Sequence, residues 1–492
     1  MRRPPALRIE SHPILEFRRG REITFELDGR ELKGYEGETI AAAIHAAGVR
    51  VLRRSIRLGH PRGFFCAIGR CSSCLMTVNG VPNVMTCVTP LEPGMKVETQ
   101  TDKGSVVQGA PPFGGEPEPS SDAPNGMPSH APLAIVGSGP AGLSAAIAAG
   151  ALGVESVVLD ENEAPGGQLI KQTHMFFGSK EHYARVRGVD IGGRLVEELA
   201  PLPSTLFQRT TVLGIYPGPV VSYLRDGRHG RLSADGLVLA TGASENMLAF
   251  PGSDLPGVYG AGAVQTLMNV HGVVPGERVL MVGAGNIGLI VAYQLLQAGV
   301  DVAAVIEGLP TIGGYHVHGA KIRRAGVPIE TSHTIVRAEG HDRVERTVIA
   351  KVGRNWEPVP GSEREIEVDT VCLAVGLSPN CELALMAGCD EAYVADLGGR
   401  VALHGSNLQT SVEGVFLAGD ASGIEEASTA MLEGRLAGLA AAESLDVELD
   451  RDALAEMRAE AESGLAALRA GPFGERPRAG KEKMFSLRSS AD

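Results

Sequence analysis

The chain has 492 residues, a formal net charge of −13 and a sequence pI near 5.6, a length that holds roughly two to four domains. The acidic balance excludes a nucleic-acid footprint, and no apolar run reaches the ~18 residues that span a bilayer, which excludes direct membrane insertion. The opening Met1-Arg-Arg-Pro-Pro lacks the apolar core of a signal peptide, so a cytoplasmic protein is expected.

In chain order, residues 23–27, a turn at Asp28-Gly29 and residues 30–34 predict a β-hairpin. Thr39 is placed to cap a short helix running to Ala47, which Gly48 ends. Of the seven cysteines, four then crowd into a short stretch: Cys66, Cys71, Cys74 and, beyond a hairpin over residues 75–84, Cys87. In a reducing compartment such clustering favours metal ligation over disulfides. C-x4-C-x2-C with a distant fourth cysteine is the plant-type [2Fe–2S] spacing: one loop wraps three thiolates and a separate strand delivers the fourth. Gly63 and Gly69 let the loop curl around the sulfurs. Structural zinc also accepts four thiolates, but its ribbons pair two C-x2-C knuckles and only Cys71 and Cys74 form one here. The order hairpin, helix, cysteine loop resembles the β-grasp ferredoxin fold. This domain is expected over residues 18–101, and the Gly/Pro/Ser/Asp-rich stretch 102–130 reads as a linker.

Residues 133–136 read as a buried parallel strand that runs into Gly137-Ser138-Gly139-Pro140-Ala141-Gly142, with Ala-rich helical sequence to about residue 152. Gly137 serves the tight turn, Gly139 admits backbone N–H groups to a pyrophosphate, and Gly142 lets helix pack on strand. The helix N-terminus then faces the phosphates. A second strand, 156–160, ends at Asp160 and Glu161, where a ribose needs an acceptor. A second copy follows: strand 278–282, Gly283-x-Gly285-Asn286-Ile287-Gly288, a helix, and strand 302–307 ending at Glu307. An acid there suits a free 2′-hydroxyl and repels a 2′-phosphate, so a nicotinamide cofactor at this site is NAD, unless the domain serves only as scaffold. Cys372 lies on an apolar strand, and Cys381 and Cys389 flank a short helical segment; all three read as buried small residues.

Between and after these copies stand Pro165-Gly-Gly-Gln-Leu169, Lys171-Gln-Thr-His-Met-Phe-Phe-Gly178, residues 236–242 ending Ala240-Thr241-Gly242, and residues 414–420 ending Gly419-Asp420. These segments resemble two-dinucleotide flavoproteins of the thioredoxin-reductase type. The resemblance implies FAD in the first site, with Gly167, Gln168 and Leu169 beside the isoalloxazine, Val212 at the adenine, and Asp420 on the ribityl chain. It implies an α/β architecture of two Rossmann-like domains behind the small α+β ferredoxin-like one. The FAD domain is discontinuous (131–250 and 375–446), the NAD-binding-like domain covers 251–374, and 447–492 forms a C-terminal helix and tail. That tail reads as a helix over 451–468 and a basic end expected to be mobile. The C-x-x-C pair of thioredoxin reductases is missing after Cys87, which removes disulfide reduction. His174 and Phe176-Phe177 fit either a packed loop or a direct role.

The cysteine quartet and the segment 166–179 narrow the resemblance to alpha-type subunits of multi-subunit amine-oxidising flavoenzymes: sarcosine oxidase, opine oxidase, hydrogen cyanide synthase, and dye-linked proline or hydroxyproline dehydrogenases. The chain departs from several of these in having no C-terminal cysteine cluster, and from sarcosine oxidase alpha in having no long extra domain after the second nucleotide fold. The resemblance implies an electron-transfer subunit working with a second flavoprotein subunit, joined in some complexes by a small third one, with FMN shared between subunits. Two alternatives stay open: a free-standing NADH-dependent FAD/[2Fe–2S] reductase, and a redox-silent nucleotide-bound scaffold.

Overall fold

A computed structural model describes residues 7–104, 126–176, 183–471 and 473–489. Most of the linker expected at 102–130, and Phe177 and Gly178, lie outside the described residues. The chain divides into two compact units, Met1–Gly115 with Glu245–Val375, and Glu116–Ser244 with Gly376–Asp492.

The first unit opens with a five-stranded sheet in the order Arg30–Tyr35, Glu22–Leu27, Lys96–Glu98, Leu75–Val78, Val81–Met85. Strand Glu22–Leu27 alternates, burying Ile23, Phe25 and Leu27, as one face of a half-covered sheet requires. Its antiparallel partner is set in register by Phe25 opposite Leu32, and its other neighbour is parallel. Helix Ile40–Ala46 covers the buried face, and the Thr39 hydroxyl accepts from Ala42 N at 3.3 Å as its cap.

The same unit holds a parallel sheet in the order Val258–Gly260, Thr370–Leu373, Arg278–Val282, Asp301–Glu307, Ile329–Thr331, and an antiparallel trio at residues 333–366. The sequence reading separates the ferredoxin-like residues from these strands. In the structure both share one apolar core, in which Ile44, Phe64 and Met76 join Tyr259, Leu267 and Val291. Arg50 rivets the two halves, donating to Tyr259 Oη at 3.2 Å and to the Pro275 carbonyl, while His45 Nε2 contacts Val274 O at 3.2 Å. Gly260 N donates to Phe65 O at 3.1 Å, which fixes the chain just before Cys66.

The second unit is built on a sheet in which Ser204–Phe207, Ser156–Leu159, His130–Val136, Arg228–Leu239 and Val415–Leu417 run parallel, with Val220–Arg225 and Thr210–Tyr216 added as a meander. Strand Ser156–Leu159 is buried at every position, as a strand covered on both faces must be. Helices Pro140–Ala151 and Ala427–Ser444 pack against each other and against this sheet. That approach is set by glycine: a Cβ on Gly434 would stand 2.1 Å from Ala141 O, and one on Gly438 2.2 Å from Ala145 O. Helix Arg451–Arg469 follows, capped by Asp450, which accepts from Asp452 N at 3.1 Å and Ala453 N at 3.0 Å. The end expected to be mobile instead forms helix Glu475–Ser489, docked through Met484 onto Val394, Leu397, Val401 and Leu403. Its basic composition hid the four-residue spacing of Gly480 and Met484, which puts a small and an apolar residue on the face that packs. No helix among the described residues is long and apolar enough to cross a membrane.

Two glycine substitutions are expected to differ in sign. Gly434→Ala forces helix from helix and costs about 1–3 kcal/mol. Gly193→Ala, in the exposed interior of helix Gly188–Leu199 with nothing within 4 Å of the added atom, gains about 0.5–1 kcal/mol. Denaturant unfolding of both variants checks the contrast.

Candidate functional site

The first glycine fingerprint forms a cradle. Gly137 turns with φ 104°, and a Cβ there would lie 2.3 Å from Ala240 O. A Cβ on Gly142 would lie 1.8 Å from Gly137 O, so the first turn of helix Pro140–Ala151 presses against the end of the strand before it. Gly139 is the extended N-cap of that helix, and its missing Cβ meets only Gly167 Cα, at 3.8 Å. The helix N-terminus therefore opens on free space lined by backbone N–H groups, which suits a pyrophosphate. Gly166 N donates to Ser138 O at 2.8 Å, which brings the Gly166-Gly167 loop onto the fingerprint. Both of those glycines are left-handed, with φ 111° and 53°. Leu169 is buried, while Gln168 is exposed. From the far end of the chain, Gly419 reaches the same helix turn; a Cβ on it would sit 2.8 Å from Ala141 Cβ. Thus Gly137 to Gly142, Gly167, Ala240 and Gly419 come together.

Thr241 and Gly242 are tied to a residue the sequence reading missed. Thr241 Oγ1 donates to Asn380 O at 2.9 Å, Asn380 N to Gly242 O at 3.0 Å, and Asn380 Nδ2 to Thr241 O at 2.8 Å. Val212 lies on strand Thr210–Tyr216, whose first residue donates to Asp160 O at 2.8 Å.

Asp160 is placed differently from a ribose acceptor awaiting its hydroxyls. Its carboxylate already accepts from Ser138 N at 2.6 Å and Ser138 Oγ at 2.7 Å, and from Asn162 N at 2.7 Å and Nδ2 at 2.9 Å. A carboxylate offers about four acceptor positions, so Asp160 braces the loop in this arrangement. Glu161 beside it is exposed.

The second fingerprint repeats the construction. A Cβ on Gly283 would stand 2.2 Å from Ala374 O, and one on Gly288 2.0 Å from Gly283 O; Gly285, the N-cap of helix Asn286–Gln297, has open space. Glu307 accepts from Ala284 N at 2.8 Å and Leu309 N at 3.0 Å. Asn286 Oδ1 accepts from Tyr315 N at 2.8 Å, and Gly314 N donates to Ala284 O at 3.0 Å, the counterpart of Gly166. Ile287 is exposed. The glycine pair 313–314 carried a legible signal, since it echoes Gly166-Gly167 at a similar place after its fingerprint.

All seven cysteines are free thiols. Cys66, Cys71, Cys74 and Cys87 converge: Cys66 is hydrogen-bonded to both Cys71 and Cys87, and Cys74 to Cys87. Left-handed Ala67, Gly69 and Ser72 wrap the loop, and Thr86 Oγ1 ties it to the turn after strand Val81–Met85 that carries the fourth cysteine, by donating to Cys74 O at 2.6 Å. The hydrogen bonds from Cys71 and Cys87 lower the Cys66 thiol strongly, those to Cys66 raise Cys71 and Cys87, and Cys74 is lowered by Cys87. Among the described residues, no three His, Cys, Asp or Glu side chains close on a point that would hold a single metal ion. The four thiols are instead linked in one series, Cys71 to Cys66 to Cys87 to Cys74. That donor set fits a core of two irons, each needing two thiolates.

Asp420 is half-buried, with one bond from the chain, Glu425 N at 3.3 Å. Burial raises its carboxyl from 3.8 to about 7; the Glu425 N–H pulls the other way, and the charges of Glu433 and Glu425 add to the rise. Among the described residues its acceptor positions are otherwise open, as a group awaiting hydroxyl donors requires.

Two family descriptions match this chain: pyridine nucleotide-disulphide oxidoreductase over residues 131–434, and a 2Fe-2S iron-sulfur cluster binding domain over residues 20–102. The chain belongs to the pyridine nucleotide-disulphide oxidoreductase family, and FAD and a [2Fe–2S] cluster are the cofactors that these two folds hold. It is similar to the alpha subunit of sarcosine oxidase from Rhizobium meliloti (strain 1021), 27% identical over 501 residues, with 90% of this chain and 48% of that one covered. It is similar to the A-type subunit of opine oxidase from the same strain, 31% identical over 366 residues, covering 68% and 75%. The crystal structure of L-proline dehydrogenase from P. horikoshii superposes with a TM-score of 0.67 at 23% identity, over 92% of this chain and 79% of that one, which shows the fold. The chain spans about half the length of the sarcosine oxidase alpha subunits it matches. The expected α/β architecture and the alpha-type resemblance are therefore found.

A pH test isolates Asp420. A carboxyl raised on folding binds its proton more tightly in the folded chain, so stability is present at low pH and is lost as the pH rises from about 4 through about 7. In flavin-free protein, Asp420→Asn is expected to melt above the parent, by a margin that opens across that window and is constant beyond it. A margin independent of pH contradicts the assignment.

Proposed function

We propose that this chain is the electron-transfer subunit of a cytoplasmic complex that oxidises an amine or imino acid, such as sarcosine, an opine, proline or hydroxyproline. The observation that carries the reading is the presence, in one chain, of four converging thiols and two complete dinucleotide cradles. The relatives it resembles over most of its length are named as subunits. This supports partner subunits; in our reading one of them is a second flavoprotein subunit sharing FMN, and a small third subunit completes the complex.

When bound, FAD accepts an electron pair and can release it singly, and a [2Fe–2S] cluster passes one electron at a time. The chain's own residues bind and orient. The N–H groups of Gly139, Ala141 and Gly142 and the helix behind them would hold the pyrophosphate, with Asp160 bracing that loop through Ser138. The glycine turn 166–167 lets backbone approach the same space, and Asp420 accepts from polyol hydroxyls. Cys66, Cys71, Cys74 and Cys87 would ligate the irons, and Cys74 and Cys87 are buried, which would keep water from their side of the cluster. No side chain here has to move a proton from substrate, because the partner subunit performs that step.

A second reading, an NADH-dependent reductase, is favoured by the intact cradle at Gly283, Gly285 and Gly288. Anaerobic spectroscopy of the purified protein separates the two. Electron transfer within a complex predicts that NADH leaves the flavin band unbleached, whereas the partner subunit with its amine bleaches it and produces a reduced-cluster EPR signal. Immediate bleaching by NADH alone overturns the subunit reading in favour of the reductase.

A further inference from the structure

Two helices beyond the family match, Arg451–Arg469 and Glu475–Ser489, place cations in the interior of the second unit. Lys481 is 2% exposed and Glu433, on helix Ala427–Ser444, is 1% exposed. Their charged ends stand 2.8 Å apart. Arg469 Nη2 donates to the other face of this cluster, to Glu433 Oε1 at 2.6 Å, and Nε donates to Glu425 Oε2 at 3.0 Å. Lys481 Nζ also donates to Ser422 O at 2.9 Å and to Ser422 Oγ at 2.8 Å. The Ser422 hydroxyl in turn faces Glu433 Oε2 at 2.6 Å and Gly419 O at 2.8 Å. His404 completes the cluster: its Nδ1 lies 2.7 Å from Gly405 O and its Nε2 3.4 Å from Lys481 Nζ, so the ring is neutral with Nε2 as acceptor. Burial and the neighbouring ammonium lower it to about 3. Burial alone would raise Glu433, but Lys481 and Arg469 hold it ionised, at about 2.

A buried ion cluster of this kind is a poor source of net stability, because desolvation offsets the attraction, but it fixes geometry strongly. What it fixes here is the turn Gly419–Ser422. The helix that brings Lys481 is itself seated: a Cβ on Gly480 would stand 2.8 Å from Leu397 Cγ, and Phe485 packs edge-on against His404 at 5.8 Å. We propose that the C-terminal helix pair is a clasp on the flavin site, in which Lys481 and Arg469 are positioning residues that hold, through Glu433 and Ser422, the turn presenting Asp420. The proposal rests on the reading of Asp420 as the residue facing the flavin polyol.

The charged groups facing Asp420 are Glu425 on its own loop, Glu433 of helix Ala427–Ser444 and Lys481 of the last helix; the first turn of helix Pro140–Ala151 brings no acid. Lys481 opposes protonation of Asp420, so its removal has a signature that lost packing alone does not have. The test titrates flavin-stripped full-length protein with FAD, following flavin fluorescence, and then acidifies the complex. Lys481→Met is expected to weaken FAD binding about tenfold or more and to move acid-induced flavin release to higher pH; Lys481→Arg, which keeps the cation, recovers most of both. Unchanged affinity and release pH in Lys481→Met overturn the clasp. If Lys481→Met does not fold, Ser422→Ala carries the test, with a smaller loss of affinity expected and no loss overturning it. Failure of the underlying reading looks different: the parent protein takes up no FAD, or Asp420→Asn binds it as tightly as the parent.

Discussion

A carbonyl oxygen standing 1.8 Å from where a side chain would begin allows residue 142 only glycine, and the same constraint recurs at 2.0 Å between Gly288 and Gly283. In each case the first turn of a helix is pressed onto the end of the strand that feeds it. The helix N-terminus, with its unpaired N–H groups and positive dipole end, is thereby held at the carboxyl edge of a parallel sheet, where an anionic ligand is best accommodated. Everything else in the second unit is arranged around that contact. Gly434 and Gly438 let helix Ala427–Ser444 lie close alongside helix Pro140–Ala151, and this seating carries Gly419 and Asp420 to the cradle from the far end of the chain. A Cβ at any of these positions would push the packed elements apart and pull the acid away from the cradle.

Parts of this were legible because they are local. Glycine spacing between two apolar strands, the alternation of Ile23, Phe25 and Leu27, and the crowding of Cys66, Cys71, Cys74 and Cys87 all lie within short windows. The parts that escaped depend on partners distant in sequence. Nothing around Asp160 says that Ser138 and Asn162 will saturate it. Asn380, which pins Thr241 and Gly242, lies in a segment with no motif. The basic sequence from 475 onward reads as a solvated tail because the acid that Lys481 meets, Glu433, belongs to another helix, and the hydroxyl between them to a third segment. The core shared by the ferredoxin-like residues and the second nucleotide fold is likewise invisible: each set of strands is patterned to bury one face, and pattern alone does not say against what.

The two cradles are close copies in backbone but differ in what reaches them. The first receives an acid from a distant strand, with acceptor positions open and a network of buried charges behind it. The second has Glu307 and the 313–314 turn as its counterparts to Asp160 and the 166–167 turn, and the iron–sulfur domain shares its core. One chain thus provides for a two-electron carrier and a one-electron carrier, and its residues supply position and electrostatics for both.

That claim is tested most directly by quantifying what the purified full-length protein holds. The account predicts one releasable FAD per chain, iron and acid-labile sulfide in equal amounts, and an EPR signal after dithionite reduction that integrates to about one spin per chain, as a reduced [2Fe–2S] core requires. A colourless protein containing zinc at the four cysteines, or one that is flavin-loaded but free of iron and sulfide, would contradict it.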